Sequence, residues 1–187
     1  SALKIGPTLI DNTDSVLIFT IKLGNYFGGE KMLKVCISNW NRLEDNTIPP
    51  RAKVSGAYAN TALMITDAKL AGFDECISLS ASGHVAEGSA MNFFIVEGDT
   101  LVTTQTTSNI LVGVTRNTIL EIAKEELGLK VCEREIDRTE LYTADEAFFC
   151  GTGAQIAPIG SIDNRTIGNG QTGEKTAAIA KLYYDIV

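Results

Sequence analysis

An α+β fold is predicted for this 187-residue chain on three observations. Short apolar strands joined by turns dominate its middle, its amphipathic helices lie on the flanks, and the two do not alternate regularly as in a doubly wound parallel sheet. The length suits one domain with some excess.

Taken in order, Val16-Leu17-Ile18-Phe19-Thr20-Ile21 reads as a β-branched and aromatic strand, followed by the glycine-rich bend Leu23–Gly29. A strand at Lys34–Ser38 and a loop ending in Pro49-Pro50 lead to a helix from Ser55 to Leu70, stopped at Gly72. Cys76–Leu79, Asn92–Val96 and Leu101–Thr104, separated by the turns Ala81-Ser82-Gly83 and Glu97-Gly98-Asp99, predict a meander. Ile119, Ile122, Ala123 and Leu127 recur at helical spacing, so Thr115–Leu127 is an amphipathic helix ended by Gly128. Lys130–Cys132 is a strand, Thr139–Thr143 a helical turn, and Ala147–Cys150 and Gln155–Ile159 two strands joined through Gly151-Thr152-Gly153. An Asp163-Asn164 turn and a helix from about Glu174 to Tyr184 complete the order.

Composition removes several classes of function. Lys and Arg number 16 against 23 Asp and Glu, giving a net charge of −7 with no basic run, so nucleic acid is not an expected partner. A single His84 cannot build a multi-imidazole metal site, and no metal is expected. The four cysteines form no C-x-x-C pair and sit mostly in apolar runs, which predicts reduced thiols in a cytoplasmic protein. No apolar stretch approaches membrane-spanning length, so no membrane association is expected, and Ser1-Ala2-Leu3-Lys4 does not read as a secretory leader.

Two phosphate motifs fail on inspection. Gly168–Thr176 resembles a phosphate loop, but Glu174 intrudes between glycine and lysine, where an acid repels phosphate. Gly151-Thr152-Gly153-Ala154-Gln155-Ile156 begins like a dinucleotide fingerprint, yet Ile stands where the third glycine belongs and a strand follows. Gly113-Val114-Thr115 opens a helix and suits a phosphate through its N–H groups, hydroxyl and dipole, although on chemistry alone an ordinary N-cap at Thr115 is the favoured reading. Glu87, among small and apolar neighbours, is either a turn carboxylate in water or one held inside for a purpose. By itself Lys53 reads as a loop lysine.

In this order the segments Asn46–Lys53 with Gly56-Ala57-Tyr58, Gly83–Phe94, Thr107–Arg116 and Asp137–Ala154 together resemble the class IV, fold-type-IV pyridoxal-phosphate enzymes, and most of all the branched-chain amino acid aminotransferases. The resemblance covers nearly the whole chain, and four ordered motifs are far more specific than any one. It implies the large C-terminal domain of the D-amino acid aminotransferase-like fold, a pseudo-barrel of mixed sheets with surrounding helices. It implies pyridoxal 5'-phosphate as cofactor, amino acids and 2-oxo acids as substrates, and a homodimer.

The resemblance also implies roles. Lys53 would be the catalytic amine, which links to the cofactor aldehyde and then carries the proton from the substrate Cα; only a primary amine can do both, and it must be partly neutral, which desolvation favours. Glu87 would pair with the pyridine nitrogen and Tyr58 with the phenolic oxygen. Val114 and Thr115 would hold the phosphate, joined by Thr152, while Gly153 and Ala154 would present amides to the substrate carboxylate. Arg116 would be structural. Relatives carry a smaller N-terminal domain that adds an arginine to the phosphate and further substrate contacts; residues 1–31 would be its end and the interdomain connection, with Leu9–Leu23 its last strand, and residues 32–187 the cofactor-binding domain. The implied reaction is amino transfer from Leu, Ile or Val to 2-oxoglutarate. D-amino acid transamination, aminodeoxychorismate lysis and a non-catalytic domain are the alternatives.

Overall fold

The computed structural model describes residues 8–10, 13–22, 24, 26–27 and 31–187. Among them nine strands form one mixed sheet: β1 (Leu33–Ile37), β2 (Glu75–Leu79), β3 (Val85–Gly88), β4 (Asn92–Glu97), β5 (Thr100–Thr104), β6 (Lys130–Arg134), β7 (Glu146–Gly151), β8 (Gln155–Ile162) and β9 (Arg165–Thr166). The order is β3-β2-β1-β8-β7-β4-β5-β6, with β9 paired to β8. β1 runs parallel to both β2 and β8, and β5 parallel to β6; the other ladders are antiparallel. The sheet curls so far that its two ends meet: His84, just before β3, bridges Asp137, just after β6, and Val85 N–H donates to Ile136 O at 2.9 Å.

The curl explains why the central strands are apolar at every position instead of alternating. On β4 and β7, Phe93 and Phe149 turn into the hollow of the sheet, where they meet edge to face with Leu33, Val35, Ile77 and Ile159 around them. Their neighbours Phe94 and Phe148 point outward and stack at 5.0 Å and 4°, roofed by α2 (Val114–Glu121) and α3 (Glu174–Tyr184) through Ile119, Ile179 and Tyr183. A strand covered on both faces has no solvent side on which to place polar residues. The third helix, α1 (Tyr58–Leu70), sets Met64 and Ala68 against Cys76 of β2.

Several sequence expectations change. The strand expected at Val16–Ile21 is not one: these residues carry no ladder, and Val16, Leu17, Ile18 and Phe19 are 71–87% exposed. A strand exists only through a hydrogen-bonded neighbour, and the described residues offer none there. Of the bend at Leu23–Gly29, residues 23, 25, 28 and 29 lie outside the described residues, as does Glu30. The expected meander is broken by β3, which went unread because Val85-Ala86-Glu87-Gly88 shows no period-2 alternation; β2 pairs with β3, and β4 with β5 and β7. The helix expected from Ser55 starts at Tyr58 after a 3-10 turn at Ser55–Ala57. That expected over Thr115–Leu127 is α2 followed by a π-turn, Ile122–Glu126. The last helix occupies Glu174–Tyr184 as expected.

Candidate active site

Lys53 lies on the long strap between β1 and α1. Pro50, with its fixed φ, starts a 3-10 turn over Pro50–Ala52, and Lys53 ends that turn in the left-handed region at φ 49°, ψ 42°. Outside glycine this conformation costs about 1–2 kcal/mol, so the surroundings must impose it. Arg51 does part of that work by donating to Asp45 at 3.1 Å and to Thr106 O at 2.7 Å. The chain then enters α1, whose first residue Tyr58 sets its hydroxyl 3.2 Å from Lys53 Nζ. Both side chains are exposed, so the desolvation expected around Lys53 is not supplied by the described residues.

Glu87 is held inside rather than turned to water. On β3 it is 3% exposed, and Arg42 Nη2 lies 2.8 Å from its Oε1. Asn92 Nδ2 donates to Oε2 at 3.1 Å, and Leu111 N–H reaches both oxygens at 3.3 Å. Burial pushes the carboxyl up to about 7, against the opposing pull of Arg42, the Leu111 amide and the Lys53 charge.

Asn92 joins this carboxylate to the start of α2. Its Nδ2 also donates to Leu111 O at 2.7 Å, and its Oδ1 occupies the space where a Cβ on Gly113 would lie, 2.3 Å away. Gly113 is the N-cap residue of α2 and no side chain caps the helix, so Thr115 is not the N-cap. The first N–H groups, on Val114, Thr115 and Arg116, lack intrahelical acceptors and leave a positive helix end open. α3 is built the other way: Glu146 accepts from Lys175 N at 3.0 Å, from Thr176 N at 2.7 Å and from Thr176 Oγ1 at 2.6 Å. The near-miss phosphate loop at Gly168–Thr176 thus has its anion already, supplied by the protein.

Thr152, Gly153 and Ala154 form the turn between β7 and β8, closed by the Gly151 to Gln155 pair. This turn lines a cavity of about 910 Å³ with Phe27, Met32 and Tyr184, which contains neither Lys53 nor Glu87. It is tied to the carboxylate through the sheet, because Asn92 pairs with Cys150 at the end of β7. Arg116 is 1% exposed and engaged by Glu133 and by Thr104 O at 2.8 Å, a structural placement.

A model of the amino-transferase class IV family matches residues 5–162. The chain belongs to this family. It is 44% identical over 185 residues to a probable branched-chain-amino-acid aminotransferase of Aquifex aeolicus, covering 99% of this chain and 60% of that protein. The branched-chain-amino-acid aminotransferase of Escherichia coli is 37% identical over 185 residues, with 97% and 59% covered. Among solved structures, the branched-chain amino acid aminotransferase from Thermobaculum terrenum in PLP-form (holo-form) superposes with a TM-score of 0.84 at 39% identity, over 88% of this chain and 53% of that one. This class IV aminotransferase chain therefore spans about 60% of the length of the curated relatives it matches.

Three residues of the class IV chain's site went unread in the sequence. Arg42, Asn92 and Leu111 complete the surroundings of Glu87; Asn92 and Leu111 lie in segments that carry the resemblance but were given no role, and Arg42 lies outside them. One signal was available. A carboxylate held inside needs a cation and hydrogen-bond donors from the same fold, which directs a search toward the arginines.

Proposed function

We propose that this chain is the cofactor-binding part of a pyridoxal 5'-phosphate-dependent aminotransferase that transfers the amino group of leucine, isoleucine or valine to 2-oxoglutarate. One observation carries the reading: Asn92 links a buried carboxylate to an uncapped helix start, and the strap that Arg42 ties to that carboxylate carries an amine paired with a tyrosine hydroxyl. That relatives in Aquifex aeolicus and Escherichia coli are named branched-chain-amino-acid aminotransferases supports the substrate class.

The donor set fits the cofactor. It offers a primary amine for an aldehyde, a buried carboxylate for a ring N–H, a phenol for the ring oxygen, and an uncapped helix start for a phosphate. When bound, pyridoxal phosphate supplies the aldehyde that links to amines and a ring that takes up the electron pair left at the substrate Cα. Lys53 anchors that aldehyde and afterwards moves the proton at Cα. Glu87 holds the ring nitrogen's proton, and Tyr58 orients the phenolic oxygen and steadies Lys53. Val114, Thr115 and Thr152 bind the phosphate, and the amides of Gly153 and Ala154 bind the substrate carboxylate.

In the same reading residues 1–31 belong to the end of a small domain and its connection, residues 32–187 form the large domain, and the enzyme is a cytoplasmic homodimer. The exposed apolar run Val16–Ile21 is consistent with a strand whose partner lies in a part of the protein beyond this chain. Among the described residues, no helix is long and apolar enough to cross a membrane.

The test is to add pyridoxal 5'-phosphate, reduce with borohydride and map the labelled peptide, then to measure amino transfer from leucine and from D-alanine to 2-oxoglutarate. Label on Lys53, absent in Lys53→Ala, with transfer from leucine alone is the expected result. Label elsewhere, or equal label in Lys53→Ala, overturns the cofactor assignment, and transfer only from D-alanine overturns the substrate assignment.

A further inference from the structure

We propose that Arg42 is a positioning residue for the cofactor's ring nitrogen: its guanidinium favours the ionised form of Glu87, aims it, and ties the strap bearing Lys53 to the loop that leads into α2. The inference rests on the pyridoxal phosphate reading given above and adds a residue to it.

The geometry is that of a three-way clamp. Arg42 is 8% exposed; its Nη2 meets Glu87 Oε1 at 2.8 Å while its Nε donates to Asn109 O at 3.3 Å. Its own N–H donates to Leu79 O at 2.8 Å, which fixes the root of the side chain at the end of β2. Asn109 is itself held, at φ 57°, by Nδ2 donating to Glu44 Oε2 at 2.6 Å and Oδ1 accepting from Asp45 N at 3.1 Å. Arg42, Glu44 and Asp45 thus belong to the strap that carries Lys53, and Asn109 to the loop before Gly113. One guanidinium joins strap, carboxylate and phosphate-side loop.

The charge on Arg42 matters as much as its shape. A buried carboxylate favours the protonated form, and a protonated Glu87 can no longer hold a ring N–H. The Leu111 N–H and Asn92 Nδ2 donate to the carboxylate and also favour its ionised form, but they bring no charge. Lys53 contributes its charge but is committed to the cofactor in the functional reading. Cys150, on β7, is a thiol that burial holds protonated. Glu75, on β2, is acidic and bonds Ser89 N at 3.3 Å, and Arg116 is engaged by Glu133. Arg42 is therefore the cation that favours the ionised carboxylate once Lys53 is in use.

The test compares the protein with Arg42→Met and Arg42→Lys, all confirmed folded by circular dichroism. Titration of the Glu87 carboxyl carbon by NMR, assigned through Glu87→Gln, reads the pair without cofactor. Its midpoint is expected to move upward by about 1–3 in pH for Arg42→Met, and by less for Arg42→Lys, which keeps the charge. Affinity for pyridoxal 5'-phosphate at pH 7 is expected to fall at least about five-fold in Arg42→Met, the loss that follows when a midpoint near 7 moves up by one. Affinity for 1-deazapyridoxal 5'-phosphate, which has no ring nitrogen, is expected to change less than about two-fold, because no ring proton remains for Glu87 to hold. An unmoved Glu87 titration, or equal losses for the two ligands, overturns the inference even where the cofactor binds. A moved titration in a protein that takes up no pyridoxal phosphate overturns the functional reading instead and leaves the hold of Arg42 on Glu87 standing.

Discussion

Replacing Gly113 by alanine tests the link between the carboxylate and the α2 start with a single added methyl. The backbone there, φ −72° and ψ 143°, suits alanine without strain, so the whole effect is steric. The new Cβ would stand 2.3 Å from Asn92 Oδ1, about 1 Å inside van der Waals contact. Asn92 cannot swing away freely, because it is 5% exposed and its Nδ2 is bonded to Glu87 Oε2 at 3.1 Å and to Leu111 O at 2.7 Å. Turning the amide breaks both bonds in a buried place, at a cost of about 2–4 kcal/mol. For a chain of this size that lowers the melting temperature by roughly 5–12 °C. Urea unfolding with Gly56→Ala as control is the assay, since a Cβ on Gly56 meets nothing within 4 Å and its change should stay within about 0.5 kcal/mol. In a double-mutant cycle, Asn92→Ala should absorb most of the cost of Gly113→Ala. A Gly113→Ala protein as stable as the parent would show that Asn92 is not pinned, and the argument that Asn92 couples Glu87 to the helix start would fall with it.

Two further outcomes follow from the same geometry. Glu146→Ala removes the carboxylate that accepts from Lys175 N, Thr176 N and Thr176 Oγ1, and should cost about 1–2 kcal/mol in urea unfolding, with hydrogen exchange accelerated at the first turn of α3 before other helices. Burial raises the carboxyls of Glu75 and Glu87, the latter to about 7, so both hold protons more tightly in the folded chain than in the unfolded one. Ligand-free stability should therefore fall as pH rises from the ordinary carboxylate range through about 7; urea midpoints at pH 5.5 and 8 check the sign, and Glu87→Gln should flatten the slope.

Much of the fold was legible because its signals are local. Periodic apolar residues placed α2 and α3, and glycine and Asx turns placed most strand ends to within two residues. The errors have a common origin in partners distant in sequence. Val85–Gly88 is a strand only because Ile77 and Leu79 pair with it, and Val16–Ile21 has strand composition but no strand neighbour among the described residues. In the site, Lys53 and Tyr58 are five residues apart on one strap and could be read together. Glu87 could be named, but its environment could not: Arg42 lies 45 positions upstream and Leu111 24 downstream, and only the folded sheet brings them to one carboxylate.

The bridge between His84 and Asp137 has a consequence for how the protein meets other molecules. An open sheet presents two rows of unpaired amides, each a template on which a foreign strand can grow. Here β3 and the residues after β6 turn those rows toward one another, and Val85 N–H is already spent on Ile136 O. Association by strand addition is thereby discouraged at both ends of the sheet. Helices and loops, where recognition is by side chain and can be selective, are left as the surfaces beside that closure.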